Sequence, residues 1–310
     1  MKLAQFCLAL VLSTALVQAM PLNSSARAVV PGDLVQLISV DYRALKDSST
    51  AMALKQQVLP DDLKRFEASL RTLGIDPNRD VDTLTFASFH VAKSGIRGVG
   101  VSSGDFNLKS VLKKLRLQNY KPTKYHTADL YPMDGGMQMS FLDANTLLFG
   151  EPTALRLALD VRDGRANGID TNSTMTDMMS SVDSSPVWSV LDQQGTQNMM
   201  HSALGDASKV ADYETIKKRL LGSRYTMNFS SGVNFDLTVL TSDSVTAGTM
   251  SSLVKAGMLY KKMGATPQEK IALDNTTVDS DSSNLMLHFK STDQQFQALM
   301  HSPLFEAVSH

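Results

Sequence analysis

Two serine-x-x-lysine pairs stand in this chain, Ser110 with Lys113 and Ser252 with Lys255. On a helix that spacing brings an amine to a hydroxyl within one turn, as an acyl-transfer nucleophile requires. The accompanying lysine-threonine-glycine element is absent, and 34 serines and 18 lysines placed independently give about two such pairs. The pairs read as coincidence. Asp76, Asn78, Asp80 and Asp82 alternate like calcium-loop oxygens. Val81 stands where that loop needs glycine, and Ala87 where it needs a bidentate glutamate. A polar helix-to-strand turn explains them. Asp279 and Asp281, near Asp274, read as a solvated loop. Gly95, Gly98, Gly100 and Gly104 do not complete a nucleotide fingerprint: Ser103 takes the third glycine's place, and the run is an extended hairpin arm.

The histidines, His90, His126, His201, His288, His301 and His310, show no paired metal spacing, and no nucleophile elbow accompanies them. Methionine is abundant, at 17 residues. Met133, Met137 and Met139, and Met175, Met178 and Met179, have spacings that thioether copper(I) sites use outside the cytoplasm. The same spacings put Met137 and Met139 on one face of a strand and the second group on one face of a helical turn, which is core packing. The sequence thus assigns no catalytic, cofactor or metal residue.

Compartment is more legible. Met1 and Lys2 precede an uncharged run to Gln18 with an apolar centre from Phe6 to Leu12, and Val17 and Ala19 fit a signal-peptidase site. Residues 1–19 read as a cleavable signal peptide, with Met20 as the new N-terminus, and the product is expected in the periplasm or secreted. Cys7, the sole cysteine, lies within the apolar run, so the mature chain has no thiol for disulfides, zinc or nucleophilic chemistry. Hydrophobic content of 43% and charged content of 20% suit a globular protein. A net charge of -1 gives no global reason to expect nucleic acid, and no later segment is long enough for stable membrane insertion after cleavage.

The elements that must position any site fall into two similar series. In the first, residues 34–40 read as extended. Pro60, Asp61 and Asp62 start a helix over 61–73 that Gly74 ends. Strands over 84–91 and 96–101 flank a turn at Lys93, Ser94 and Gly95. A helix capped by Asn107 or Asp105 runs through Leu117, followed by extended runs over 124–131, 137–142 and 146–149 and a helix over 153–161. The second series has a strand over 187–191 and a helix over 212–221 ended by Gly222. Strands over 225–229 and 233–240 meet at Ser230 to Gly232, and a helix spans 245–263. A strand over 285–289 and a helix over 294–300 complete it. This order predicts an α+β fold of two antiparallel-sheet units with helices packed on one face, arising by tandem duplication. The units are 20–163 and 186–310, with 164–185 as linker.

The junction Leu73, Gly74, Ile75, Asp76, Pro77, Asn78, Arg79, Asp80, Val81, Asp82 resembles one in uncharacterised exported bacterial proteins. The resemblance covers mainly the first half and implies an extracytoplasmic bacterial setting with no transferable reaction. The expected function is a non-enzymatic binding or scaffold protein of the cell envelope, with a small molecule or envelope protein as partner. The alternative is a secreted or periplasmic hydrolase without a recognisable motif.

Overall fold

A computed structural model describes residues 22–204 and 213–309. The signal segment, Cys7, the Met20 junction and His310 lie outside the described residues. The first half runs α1 (Ser24–Arg27), β1 (Leu34–Asp41), α2 (Tyr42–Leu45), α3 (Ser49–Val58), α4 (Asp61–Thr72), α5 (Pro77–Asp80), β2 (Val81–Val91) and β3 (Gly95–Gly104). It continues with α6 (Leu108–Leu117), β4 (Thr123–Tyr125), β5 (Ala128–Pro132), β6 (Gln138–Phe141), β7 (Thr146–Gly150) and α7 (Pro152–Arg162). After α8 (Ser173–Ser180) come β8 (Val187–Leu191), α9 (Gln193–Leu204), α10 (Tyr213–Lys217), β9 (Leu220–Asn228) and β10 (Val233–Thr241). The chain ends with α11 (Ser244–Gly264), α12 (Pro267–Asp274), β11 (Thr276–Asp281), β12 (Asn284–Ser291), α13 (Asp293–Met300) and α14 (Pro303–Ser309).

The strands form one 12-stranded antiparallel sheet in the order β11-β12-β10-β9-β8-β1-β2-β3-β7-β6-β5-β4. This changes the expected relation between the halves. They do not face one another as two sheets; they join edge to edge where β1 pairs antiparallel with β8, Ile38 opposite Ser189. Read outward from that seam, one side gives β1-β2-β3-β7-β6-β5-β4 and the other β8-β9-β10-β12-β11, seven strands against five, with the hairpins β2-β3 and β9-β10 each next to its seam strand.

Residues paired across strands share a face, which sorts the core. The row Leu237, Tyr225, Ser189, Ile38, Phe86, Gly100, Phe149 lies on one side. Phe66 and Leu70 of α4 and Val111 and Leu115 of α6 pack there over the first half. Met200 of α9 and Met250 of α11 pack there over the second. On the other side α7, with Leu155 and Leu159, and α8, with Met175, Met178 and Met179, cover Ala87, Val101, Leu148 and Trp188. The same side of the second half carries exposed polar side chains, including Asp236 and His288, 2.5 Å apart.

Several local expectations change. Residues 164–185 are no solvated linker: Ile169 and the three α8 methionines are buried in the main core. The helix expected over 212–221 is α10 alone within the described residues, and Gly222 lies inside β9 opposite Leu240. Asp279 and Asp281 sit on edge strand β11 rather than in a loop. The run 124–131 is a hairpin turning at His126, which has a left-handed φ of 51. Gly74 does close α4 in the left-handed region, at φ 86.

Candidate functional site

At the end of β1, the Asp41 carboxylate accepts a hydrogen bond from the Ala44 amide at 3.1 Å and starts the single turn of α2. That turn holds Tyr42 beneath α4, with the residue only 6% exposed. Ahead of α4, Pro60 precedes two acids in the first turn, a favourable opening for a helix. The helix turns Phe66 and Leu70 inward and brings Glu67 to the rim. Across the sheet, Leu84 of β2 faces Ser102 of β3, and Gly100 of β3 faces Phe149 of β7. A β-carbon on Gly100 would come within 2.2 Å of the Phe149 ring, so glycine is what lets that ring lie over β3. The ring stacks on Phe66 at 4.4 Å and meets Phe86 edge-on at 6.0 Å.

These residues bound a shallow cleft with a cavity volume of about 30 Å³. Its wall is aromatic and aliphatic. The hydroxyls of Tyr42 and Ser102 are buried on it without a hydrogen-bond partner in the structure. Orphaned buried polar groups are rare because each costs about 1–3 kcal/mol; two of them share this cleft wall, and Gln138 Oε1 and the Ser140 and Ser291 hydroxyls are the others among the described residues. The enclosed space suits one water or one ligand oxygen.

At the rim, Lys55 Nζ lies 2.6 Å from Glu67 and 4.9 Å above the Tyr42 ring, while Arg71 approaches Glu67 at 3.6 Å. Burial, reinforced by the Glu67 charge and opposed by Arg71, raises the Tyr42 phenol above its ordinary range. Tyr42 therefore keeps its proton and stays a donor. A phenol so held is unsuited to act as a base; what it can offer is a hydrogen bond beside an apolar wall.

The residues weighed from sequence do not converge on this cleft. Ser252 donates to the Gly248 carbonyl at 3.0 Å and Lys255 turns to Asp279 at 3.9 Å, so that pair forms no catalytic couple. Asp76 caps α5, and Asp80 engages Arg79 and the Asp76 amide. Among the described residues no group of three histidine, cysteine or acidic side chains gathers as a metal centre. Met133, Met137 and Met139 are buried in the apolar cluster beneath α4 and α6. His126 comes nearest to a catalytic set: its Nε2 is 3.1 Å from Asp160, which also accepts from the Tyr125 hydroxyl at 3.0 Å. The adjacent Thr127 hydroxyl accepts from Arg162, so this group pins the β4-β5 hairpin to α7. An open depression of about 460 Å³ on α6, between Lys109, Lys113 and Arg116, is bounded by one helix alone.

Sequence reasoning missed Tyr42 and Ser102. Neither lies in a motif, and their shared property, a buried hydroxyl lacking a partner, exists only after folding.

The chain is an α+β protein built on a single long antiparallel sheet, with an apolar cleft in its first half. No family model matches it, and neither does any curated protein. Among solved structures it is similar to TP0453 in crystal form I, with a TM-score of 0.52 at 9% identity over 92% of this chain and 97% of that one. Crystal forms III and IV of TP0453 give TM-scores of 0.49 and 0.46 at 10% and 9% identity, covering 90% and 92% of this chain and 97% of each. At these identities the likeness is one of fold.

Proposed function

We propose that this is an exported, non-enzymatic binding protein of the cell envelope, and that the Tyr42–Ser102 cleft takes an apolar ligand bearing one polar oxygen. The carrying observation is the pair of partnerless hydroxyls on an aromatic wall. Pockets for small ligands share this composition, mostly apolar with a few converging polar groups. The charged start and apolar run of residues 1–19 support export. No described helix is long and apolar enough to cross a membrane. The matched strand orders on either side of the β1-β8 seam support reading 20–163 and 186–310 as duplicated units.

Thermal denaturation with straight-chain alkan-1-ols tests the site. The parent should gain stability with rising alkanol, while Tyr42→Phe and Ser102→Ala should lose most of that gain. An identical response in parent and variants rejects the cleft as the site. N-terminal sequencing of the exported product tests the compartment: a start at Met20 is expected, and retention of Lys2 on a membrane-bound product rejects it.

A further inference from the structure

The outer face of α11 carries an unusual order of side chains. Its inner face is accounted for: Ala247, Met250 and Ser251 are buried, with Val254 and Met258 packed against the core beneath. Diametrically opposite run Val245, Thr249, Ser252, Ala256, Leu259 and Met263, all exposed. Their spacings alternate between four and three residues, the repeat of a helix-pairing seam. Val245, Leu259 and Met263 are 73%, 68% and 75% exposed, and Tyr260 beside them is 70% exposed.

This seam reads symmetrically about Val254. Val245 and Met263 lie nine residues to either side, Thr249 and Leu259 five, Ser252 and Ala256 two. An isologous contact needs this property, because residue i must meet residue j while j meets i. Two antiparallel copies of α11 would set Met263 against Val245, Leu259 against Thr249, and the small Ser252 and Ala256 together at the centre. Small central residues permit close backbones, and larger ones opposite smaller ones fill the ends. The two polar residues place no demand on a partner. Thr249 donates to the Val245 carbonyl at 2.8 Å and Ser252 to the Gly248 carbonyl at 3.0 Å, leaving their carbon atoms outward. Nor do like charges meet: Lys255 turns to Asp279, and Lys262 to Asp274.

We infer that α11 is a homodimerisation helix that pairs antiparallel with α11 of a second copy. The four large exposed side chains, at on the order of 100 Å² each, bring about 800 Å² from two copies. The small residues add to this, approaching the ~1,000 Å² of a specific interface. A weak, reversible dimer is expected, to be sought around roughly 10 μM, where a micromolar dissociation constant shows exchange.

Sedimentation of the intact protein across that concentration should show monomer and dimer in exchange. Leu259→Glu should weaken the dimer by about 100-fold with an unchanged melting temperature, since the side chain is exposed. Cross-linking fixes the direction. In a Cys7→Ser background, Val245→Cys and Met263→Cys proteins should each stay uncross-linked alone under oxidation. In the antiparallel pair the two Val245 positions lie about 27 Å apart along the axis, beyond disulfide reach. A mixture of the two proteins should cross-link. A chain that stays monomeric at roughly 100 μM, or cross-linking by Val245→Cys alone, overturns the inference.

Discussion

Replacing Tyr42 by phenylalanine separates a binding site from an ordinary core. The change deletes one oxygen, the one buried without a partner. Leaving a buried hydroxyl unsatisfied costs about 1–3 kcal/mol, whereas removing a satisfied one loses about 1 kcal/mol. The lost oxygen adds about 15 Å³ to the adjoining space, worth roughly 0.4 kcal/mol against the variant at 24 cal/mol per Å³. The Lys55 ammonium, 4.9 Å above the ring, keeps an aromatic face beneath it. Burial and Glu67 raise the Tyr42 phenol, so no ionisation enters this comparison at neutral pH. The free variant should therefore be more stable than the parent by about 1 kcal/mol, a rise of roughly 2–4 °C in melting temperature. With ligand the order should reverse. A ligand at 100 times its dissociation constant stabilises the parent by about 2.7 kcal/mol, and a variant unable to bind gains none of it. Differential scanning calorimetry with and without alkanol reads both signs. A variant less stable than the parent without ligand would show that the hydroxyl serves the fold, and the binding argument would fail.

Three further outcomes follow from local geometry. Gly232 has φ 81, and a β-carbon there would stand 2.2 Å from the Ser291 carbonyl oxygen, so Gly232→Ala should lose several kcal/mol, about 3 or more, by urea denaturation. Gly248 is the opposite case: a β-carbon meets nothing within 4 Å in the second turn of α11, and Gly248→Ala should gain about 1 kcal/mol. The Thr246 amide, with the Ser242 and Thr246 hydroxyls, lowers the Asp243 carboxyl to about 2. A lowered carboxyl contributes its stability above its unfolded pKa, about 4, and loses it as pH falls through the folded value. The stability difference between parent and Asp243→Ala should thus be constant at neutral pH and shrink between about pH 4 and 2, as acid titration followed by circular dichroism would show.

Much of the fold is legible where local and tertiary preferences agree. Alternation over 84–91 and 96–101, with Gly95 at φ 74 in the turn, marks the β2-β3 hairpin without outside help. The Pro60-Asp61-Asp62 opening and Gly74 closure mark α4 in the same way. The second half misleads where packing overrides pattern. Tyr213, Ile216 and Leu220 have helical spacing, yet Leu220 enters β9 because β8 and β10 offer strand partners on both sides. Gly222 there gives close approach rather than a turn, since its β-carbon would stand 3.1 Å from the Leu191 carbonyl oxygen. The polar segment of α9 hides its helix: the Asp192 carboxylate accepts from the Gly195 amide at 2.7 Å, and buried Thr196 bonds Ser223 at 2.9 Å. The cleft was not legible, because Tyr42 and Ser102 are remote in sequence until β1, β2 and β3 lie side by side.

The two proposed surfaces lie over different halves of the sheet, and that separation has a consequence for assembly. The cleft stands over β2, β3 and β7, whereas α11 packs on β10, β11 and β12. From β10 to β2 the order passes through β9, β8 and β1, four strand spacings, or about 19 Å. A dimer joined through α11 would therefore leave both clefts uncovered, and no shared side chain would link occupancy to pairing. The halves resemble one another in strand order but are covered differently. In the first, α4 arches over the sheet and leaves Tyr42 and Ser102 without partners; in the second, Phe296, Met300 and Phe305 of α13 and α14 fill the end of the same face. Binding and assembly should accordingly be separable by mutation. Leu259→Glu should weaken the dimer by about 100-fold while alkanol stabilisation per chain stays at the parent value, and Tyr42→Phe should lose that stabilisation with the dimer unchanged. Loss of both properties in either variant would mean that pairing and cleft are coupled through the β1-β8 seam, contrary to the separation in the strand order.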